Sequence, residues 1–160
     1  MENIKLLSFA ILLISQLSLK VLGQANAKYY PDPTLDNFSG TWESIGNEKN
    51  FQLVLTKKKF YIKAFDAYVD QIEGYYIYDN SRSTGDAIKN GMNDLDAEGK
   101  TRNNALSFLI KDNALDKIGR GFMLMDADSN NTATMGITKV EWAKNNEFSI
   151  PTALKLRKMK

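Results

Sequence analysis

The residues of this chain that could do chemistry are carboxylates and tyrosines, because its 160 residues include no histidine and no cysteine. Ser-His-Asp and Cys-His nucleophilic catalysis therefore lack a required part, as do the commonest zinc site and the neutral-pH proton shuttle. Glycosidase-type acid/base work needs only two suitably separated carboxyl groups, and Asp66, Asp70 and Glu73 are the nearest set. They flank an expected turn and strand start, where solvated charges are ordinary. Calcium asks for oxygens at alternate positions, and Asp94-Leu95-Asp96-Ala97-Glu98-Gly99 begins that way with glycine sixth, which makes Asp94, Asp96 and Glu98 weak metal candidates. The twelfth position is Ala105, where a bidentate glutamate belongs. A second run, Asp126-Ala127-Asp128-Ser129-Asn130, has Asn131 in the glycine place and Ile137 at the twelfth. Both runs read more simply as polar hairpin tips. No catalytic constellation is left, so the chain is expected to be no enzyme and to need no cofactor.

Tyr61, Phe65, Tyr75, Tyr76 and Tyr78 lie on neighbouring strand-like segments. Tyrosines pointing into a barrel give an apolar wall with polar handles, so these five are the candidates for contact with a small ligand. The plainer reading is that they fill a core or line an outer face, since strands favour aromatic residues anyway.

The elements that must position these groups are strands. From Phe38 onward the hydrophobic period is two: Phe51, Leu53 and Leu55 alternate with more polar neighbours, as do Leu106, Phe108 and Ile110, and Leu154 and Leu156 near the end. Lys57-Lys58-Lys59 reads as a hairpin corner, and Gly74, inside the run from Tyr68 to Tyr78, reads as a bulge or sharp bend. The stretch from Asp79 to Asn104 is rich in Gly, Asn, Asp and Ser and is the hardest to assign. Short strands joined by turn signals predict an all-β, antiparallel meander of about eight to ten strands that closes into a barrel, because closure removes exposed edges. A two-sheet sandwich is the alternative.

Ahead of this domain, Lys5 precedes an apolar run from Leu6 to Leu19, followed by small residues. That pattern is a secretory signal peptide over 1–23, cleaved after Gly23 or Ala27, and the run is too short for a spanning helix, which takes ~20 apolar residues. Residues 24–37 form a turn-rich strap and 38–160 a single domain. The protein is expected to be exported, periplasmic or secreted, with no transmembrane span after cleavage. Without cysteine it cannot be a cysteine-anchored lipoprotein and has no disulfide staple. The net charge is +2, and residues 1–23 carry Lys5 and Lys20 against Glu2, so the remaining domain is close to neutral. No basic footprint for nucleic acid is present at that level.

The run Asn37-Phe38-Ser39-Gly40-Thr41-Trp42 resembles the Phe-x-Gly-x-Trp entrance to the first strand of lipocalins and related calycin barrels. In that family the glycine permits a tight entry and the tryptophan plugs the barrel base beneath an arginine from near the last strand. The resemblance thus implies that Gly40 and Trp42 build a barrel base and that Arg157 covers the tryptophan. The order of Phe38 to Trp42, Phe51 to Leu55, Phe148 to Thr152 and a terminal Leu154-Lys155-Leu156 strand also resembles a family of small exported bacterial proteins of unknown function, which implies fold and compartment only. The reading that follows is a lipocalin-like, non-enzymatic barrel binding a small apolar or amphipathic ligand. The alternative is an interaction module for proteins or the cell envelope, with a filled core and an exposed apolar patch around Tyr29, Tyr30 and Trp142. A carboxylate-based hydrolase comes third.

Overall fold

The computed structural model describes residues 27–46, 50–83, 87–95, 101–139 and 147–160. Their regular structure is β throughout, apart from two short 3-10 turns at Pro33–Asn37 and Lys63–Phe65. The strands are β1 (Lys28–Tyr30), β2 (Gly40–Ser44), β3 (Phe51–Ile62), β4 (Ala67–Tyr78), β5 (Ser81–Arg82), β6 (Ile88–Leu95), β7 (Thr101–Asp112), β8 (Lys117–Asp126), β9 (Ser129–Lys139) and β10 (Ala153–Lys158). Neighbours run in the order β4-β3-β2-β10-β9-β8-β7-β6, and β6 pairs back onto β4, closing an antiparallel ring of eight strands. β1 and β5 each pair with β4 outside that ring, β1 in parallel. The barrel prevails over the sandwich because β10 bridges β2 and β9, leaving neither the first nor the last ring strand with a free edge.

By internal packing the chain divides into a small unit, which includes Phe60–Val69 and β1, and a large one comprising Asp32–Lys59 and Asp70–Lys160. In the small unit Lys28, Tyr29 and Tyr30 register with Ala67, Tyr68 and Val69. The corner between β3 and β4 falls here, at the 3-10 turn and at Asp66, whose left-handed φ of 46° turns the chain. That corrects the placement of a corner at Lys57-Lys58-Lys59. β3 runs straight through the lysines: Lys57 meets Asp36 at 2.6 Å and Lys58 meets Glu73 at 2.9 Å, so their charges need no turn to be solvated or paired.

The large unit has one core. Phe51, Leu53 and Leu55 of β3, Ile72 and Tyr76 of β4, Leu106, Phe108 and Ile110 of β7, Met123 and Met125 of β8, and Leu154 and Leu156 of β10 all join it. These are the alternate residues of each strand, as period two requires. An eight-stranded ring leaves an interior that side chains just fill or that holds one small ligand. Gly74 does mark an irregularity, with the β4–β6 register shifting between Ile72 and Gly74. A Cβ there would lie 1.9 Å from the carbonyl oxygen of Val54, so only glycine lets β3 come that close.

One end of the core is closed by the strap. Leu35 and Phe38 are buried in it, and Asp32 caps the 3-10 turn by accepting a hydrogen bond from the Thr34 N–H at 3.1 Å. Asp70, itself buried, accepts from the Asp32 N–H at 3.0 Å and so ties the strap to β4.

Candidate functional site

At the closed end Gly40 has φ 125°, a conformation that favours glycine, and a side chain there would crowd Lys158 Cε at 2.9 Å. Trp42 is fully buried, and its indole N–H donates to the Phe38 carbonyl at 2.8 Å. The cation over its ring is Lys158, with Nζ 5.3 Å from the centroid, and not Arg157. Arg157 points to the outer face, where its guanidinium donates to Glu43 at 2.8 Å. The physical reason is strand parity: Leu154 and Leu156 face inward, so Arg157 must face outward. Lys158, at the end of β10, instead reaches over the base and donates to the Asn37 carbonyl at 2.8 Å. Burial holds the Lys158 ammonium below the ordinary lysine range, with the Asp36 charge opposing that shift.

The opposite end carries the candidate site. β4 alternates, so Tyr76 and Tyr78 face the core while Tyr75 faces out. The Tyr76 ring stacks on Phe51 with centroids 5.9 Å apart and planes 13° from parallel, and the Tyr78 ring lies 6.3 Å from the same phenylalanine. The Tyr76 hydroxyl donates to the Lys111 carbonyl at 3.1 Å and accepts from the Asn113 N–H at 3.2 Å, which pins the β7–β8 turn over the rings. Burial, the largest cause, raises the Tyr76 phenol above its ordinary range; the Asn113 N–H lowers it and the Asp112 charge raises it further.

Asp112 ends β7 and is fully buried. Its carboxylate accepts from the N–H groups of Ala114 at 3.0 Å and Leu115 at 3.3 Å, an Asx-type turn, and from the Ser149 N–H at 2.6 Å and hydroxyl at 2.7 Å. A buried carboxylate is tolerable because four donors surround it. This one fastens the Phe148–Ile150 segment beside the turn. On the other side, Asp79 and Asn80 both take positive φ, 49° and 63°, forming the kind of tight turn that leads into β5. Arg82 then lays its guanidinium over the Tyr75 ring at 3.8 Å.

Between these parts lies a pocket of about 270 Å³, lined by Tyr76, Tyr78, Arg82, Asn113, Ser149 and Ile150 among others. It has an aromatic and aliphatic floor and a polar rim that carries both the Arg82 guanidinium and the Asp79 carboxylate. That is the arrangement that holds the apolar body of a small molecule while a polar end meets the rim. Of the five aromatic candidates, the structure brings Tyr76 and Tyr78 to this pocket. Tyr75 supports Arg82 from the outer face. Tyr61 donates its hydroxyl to Asp66 at 2.6 Å and packs 5.1 Å from Tyr68, and that hydrogen bond to a carboxylate raises its phenol above the ordinary range. Phe65 is 78% exposed. Tyr61, Phe65 and Tyr75 therefore line no part of the pocket.

The carboxylates have partners of their own. Asp66 accepts from Tyr61, Asp70 from the strap, and Glu73 from Lys58. Asp126 accepts from Thr132 and from Lys155 at 2.6 Å, and these contacts hold it below the ordinary carboxylate range. Asp96 and Glu98 lie outside the described residues, as does the side chain of Asp94. Among the described residues no group of three or more acids is placed to hold a metal ion, and no helix is long and apolar enough to cross a membrane. The signal segment and Trp142 also lie outside the described residues.

A family model matches residues 4–122, most of the chain. The chain belongs to DUF6705, a family of unknown function. That match takes in Phe38 to Trp42, Phe51 to Leu55, Tyr76, Tyr78, Arg82 and Asp112 and stops within β8, so the Ser149 side of the pocket comes from beyond it. No curated protein and no solved structure matches this chain.

Arg82, Asp112, Asn113, Ser149 and Ile150 were not legible as site residues. Asp112-Asn113 carries a turn signal, but nothing local joins Asp112 to a serine 37 residues away.

Proposed function

We propose that this chain is an exported, non-enzymatic barrel that holds one small amphipathic molecule at the end of the barrel framed by the β7–β8 turn. The observation that carries the reading is the pocket of about 270 Å³ over Tyr76 and Tyr78, with Arg82 at its rim. Its volume is near the lower bound of about 300 Å³ for ligand pockets, which favours a compact molecule. The apolar part rests on the tyrosines and Ile150; a polar end meets Arg82, Asn113 and Asp79. The Arg82 guanidinium is preoriented by stacking on Tyr75, which lowers the cost of ordering it around a ligand. Export is supported by the charged start, short apolar run and small residues of 1–23.

Native mass spectrometry of the protein purified from its own host, against its denatured mass, tests the reading. A small adduct lost on denaturation, and missing from Tyr78→Ala and Arg82→Ala, is the expected result. A bare mass for the unaltered chain, or an adduct indifferent to both substitutions, would refute it. Amino-terminal sequencing of the same material should begin at Gln24 or Lys28.

A further inference from the structure

The polar groups around the pocket fall into two sets. On one side they are already taken up within the chain: the Tyr76 hydroxyl joins the Lys111 carbonyl to the Asn113 N–H, and the Ser149 hydroxyl donates to Asp112. Asp112 in turn is satisfied by its four donors and asks nothing of a ligand. On the other side, the Tyr78 hydroxyl, the Asp79 carboxylate, the Ser81 hydroxyl and the Asn113 carboxamide have no partner among the described residues, and the Arg82 guanidinium meets only the Tyr75 ring. Of the described residues that line the pocket, Asp79 and Arg82 alone are charged, and no ion pair joins them. The open set therefore offers one charge of each sign.

One hairpin positions both charges. Ser81 registers with Tyr78 and Arg82 with Ile77, so Asp79 and Asn80 form the loop between β4 and β5, and their positive φ values are those of a tight hairpin turn. Asp79 thus stands at the tip and Arg82 in the second pair below it. A guanidinium stacked on a ring keeps its N–H edge open, and that planar edge matches a carboxylate. The Asp79 carboxylate only accepts, and a cationic donor gives it the strongest hydrogen bond. A ligand with one charge uses one of these groups, and an uncharged ligand uses neither to the full. Only a ligand carrying an ammonium and a carboxylate beside an apolar body matches both charges and the aromatic floor together.

We infer that the pocket takes an apolar zwitterion, an amino acid or short peptide, with its carboxylate on Arg82, its ammonium on Asp79 and its side chain on Tyr76, Tyr78 and Ile150. This rests on the small-molecule reading of the same pocket. A set of related probes separates the charges: L-phenylalanine carries both, N-acetyl-L-phenylalanine only the carboxylate, L-phenylalaninamide only the ammonium, and N-acetyl-L-phenylalaninamide neither. Isothermal titration of the full chain should show L-phenylalanine binding tightest of the set, with either blocked end weakening it by about fivefold or more. Asp79→Asn keeps a residue that tolerates the left-handed turn position, and should make L-phenylalanine and N-acetyl-L-phenylalanine bind alike. Arg82→Gln should do the same for L-phenylalanine and L-phenylalaninamide. L-leucyl-L-phenylalanine binding tighter than L-phenylalanine supports the inference in its peptide form, and binding weaker supports the free amino acid. A doubly blocked probe that binds as tightly as L-phenylalanine, or substitutions that weaken every probe equally, would overturn the zwitterion and leave the small-molecule pocket standing. No binding by any probe would overturn it as well, while the adduct sought by native mass spectrometry decides the pocket reading separately.

Discussion

Lys158 and Arg157 are adjacent cations on one strand, and their roles differ because successive residues meet opposite faces. Arg157 makes an exposed ion pair with Glu43, a contact of the kind that contributes ~0–1 kcal/mol. Lys158 combines a ring contact with a hydrogen bond to the Asn37 carbonyl in a half-buried setting. Lys158→Met is therefore expected to lower unfolding free energy by about 1–2 kcal/mol, and Arg157→Met by less than ~0.5 kcal/mol. Urea titrations of both variants check this. Equal losses would mean that Lys158 contributes no more than a surface charge.

At the scale of elements, the close passage of β3 and β4 is set by one missing side chain. Gly74 faces the Val54 carbonyl so closely that a methyl group needs the two strands to separate. Backbone cannot rotate away as a side chain can, so Gly74→Ala is expected to cost about 3 kcal/mol or more, at the severe end for a single substitution. Gly46 has nothing near its Cβ position but a φ of 105°, so alanine there strains the backbone without such a clash and should cost less, about 1 kcal/mol. Thermal unfolding of the pair measures the difference. Similar losses would show that β4 yields at its bulge instead of resisting. Strand existence was legible from alternation in Phe51 to Leu55 and Leu154 to Leu156. The turn beside Asp66 was legible as well, ahead of the strand expected from Tyr68; what misled was Lys57-Lys58-Lys59, whose turn-like polarity suggested a further corner inside what is one unbroken strand.

For the whole molecule, the pH limits of stability follow from a few held groups. Asp126 is depressed by Lys155 and Thr132, and Asp116 by Lys111. A depressed carboxylate contributes stability that is fully present above its unfolded value, near 4, and is lost as pH falls through the lower folded value. Asp126→Asn should therefore flatten the acid limb of the stability curve. Tyr76 works at the other limit: a raised phenol contributes stability present below its unfolded value, near 10, and lost as pH rises toward the folded value. Tyr76→Phe should flatten the alkaline limb while lowering stability at neutral pH by about 1–3 kcal/mol, since the Lys111 carbonyl and Asn113 N–H lose their partner. Denaturant midpoints across the pH range test both signs. An acid limb unchanged by Asp126→Asn, or an alkaline limb unchanged by Tyr76→Phe, would remove that group from the account.

By itself the sequence determined that the domain is built of antiparallel strands, because period-two alternation is a local property. It determined equally that histidine and thiol chemistry are absent and that Gly74 breaks a strand's regularity. The choice of barrel over sandwich, Lys158 over Arg157, and Tyr76 over Tyr75 was made only by tertiary structure. Closure depends on β6 finding β4 and β10 finding β2, contacts between residues far apart in the chain. Adjacent residues of one type, two tyrosines or two cations, give alternation no phase, and only the packed core decides which of them faces inward.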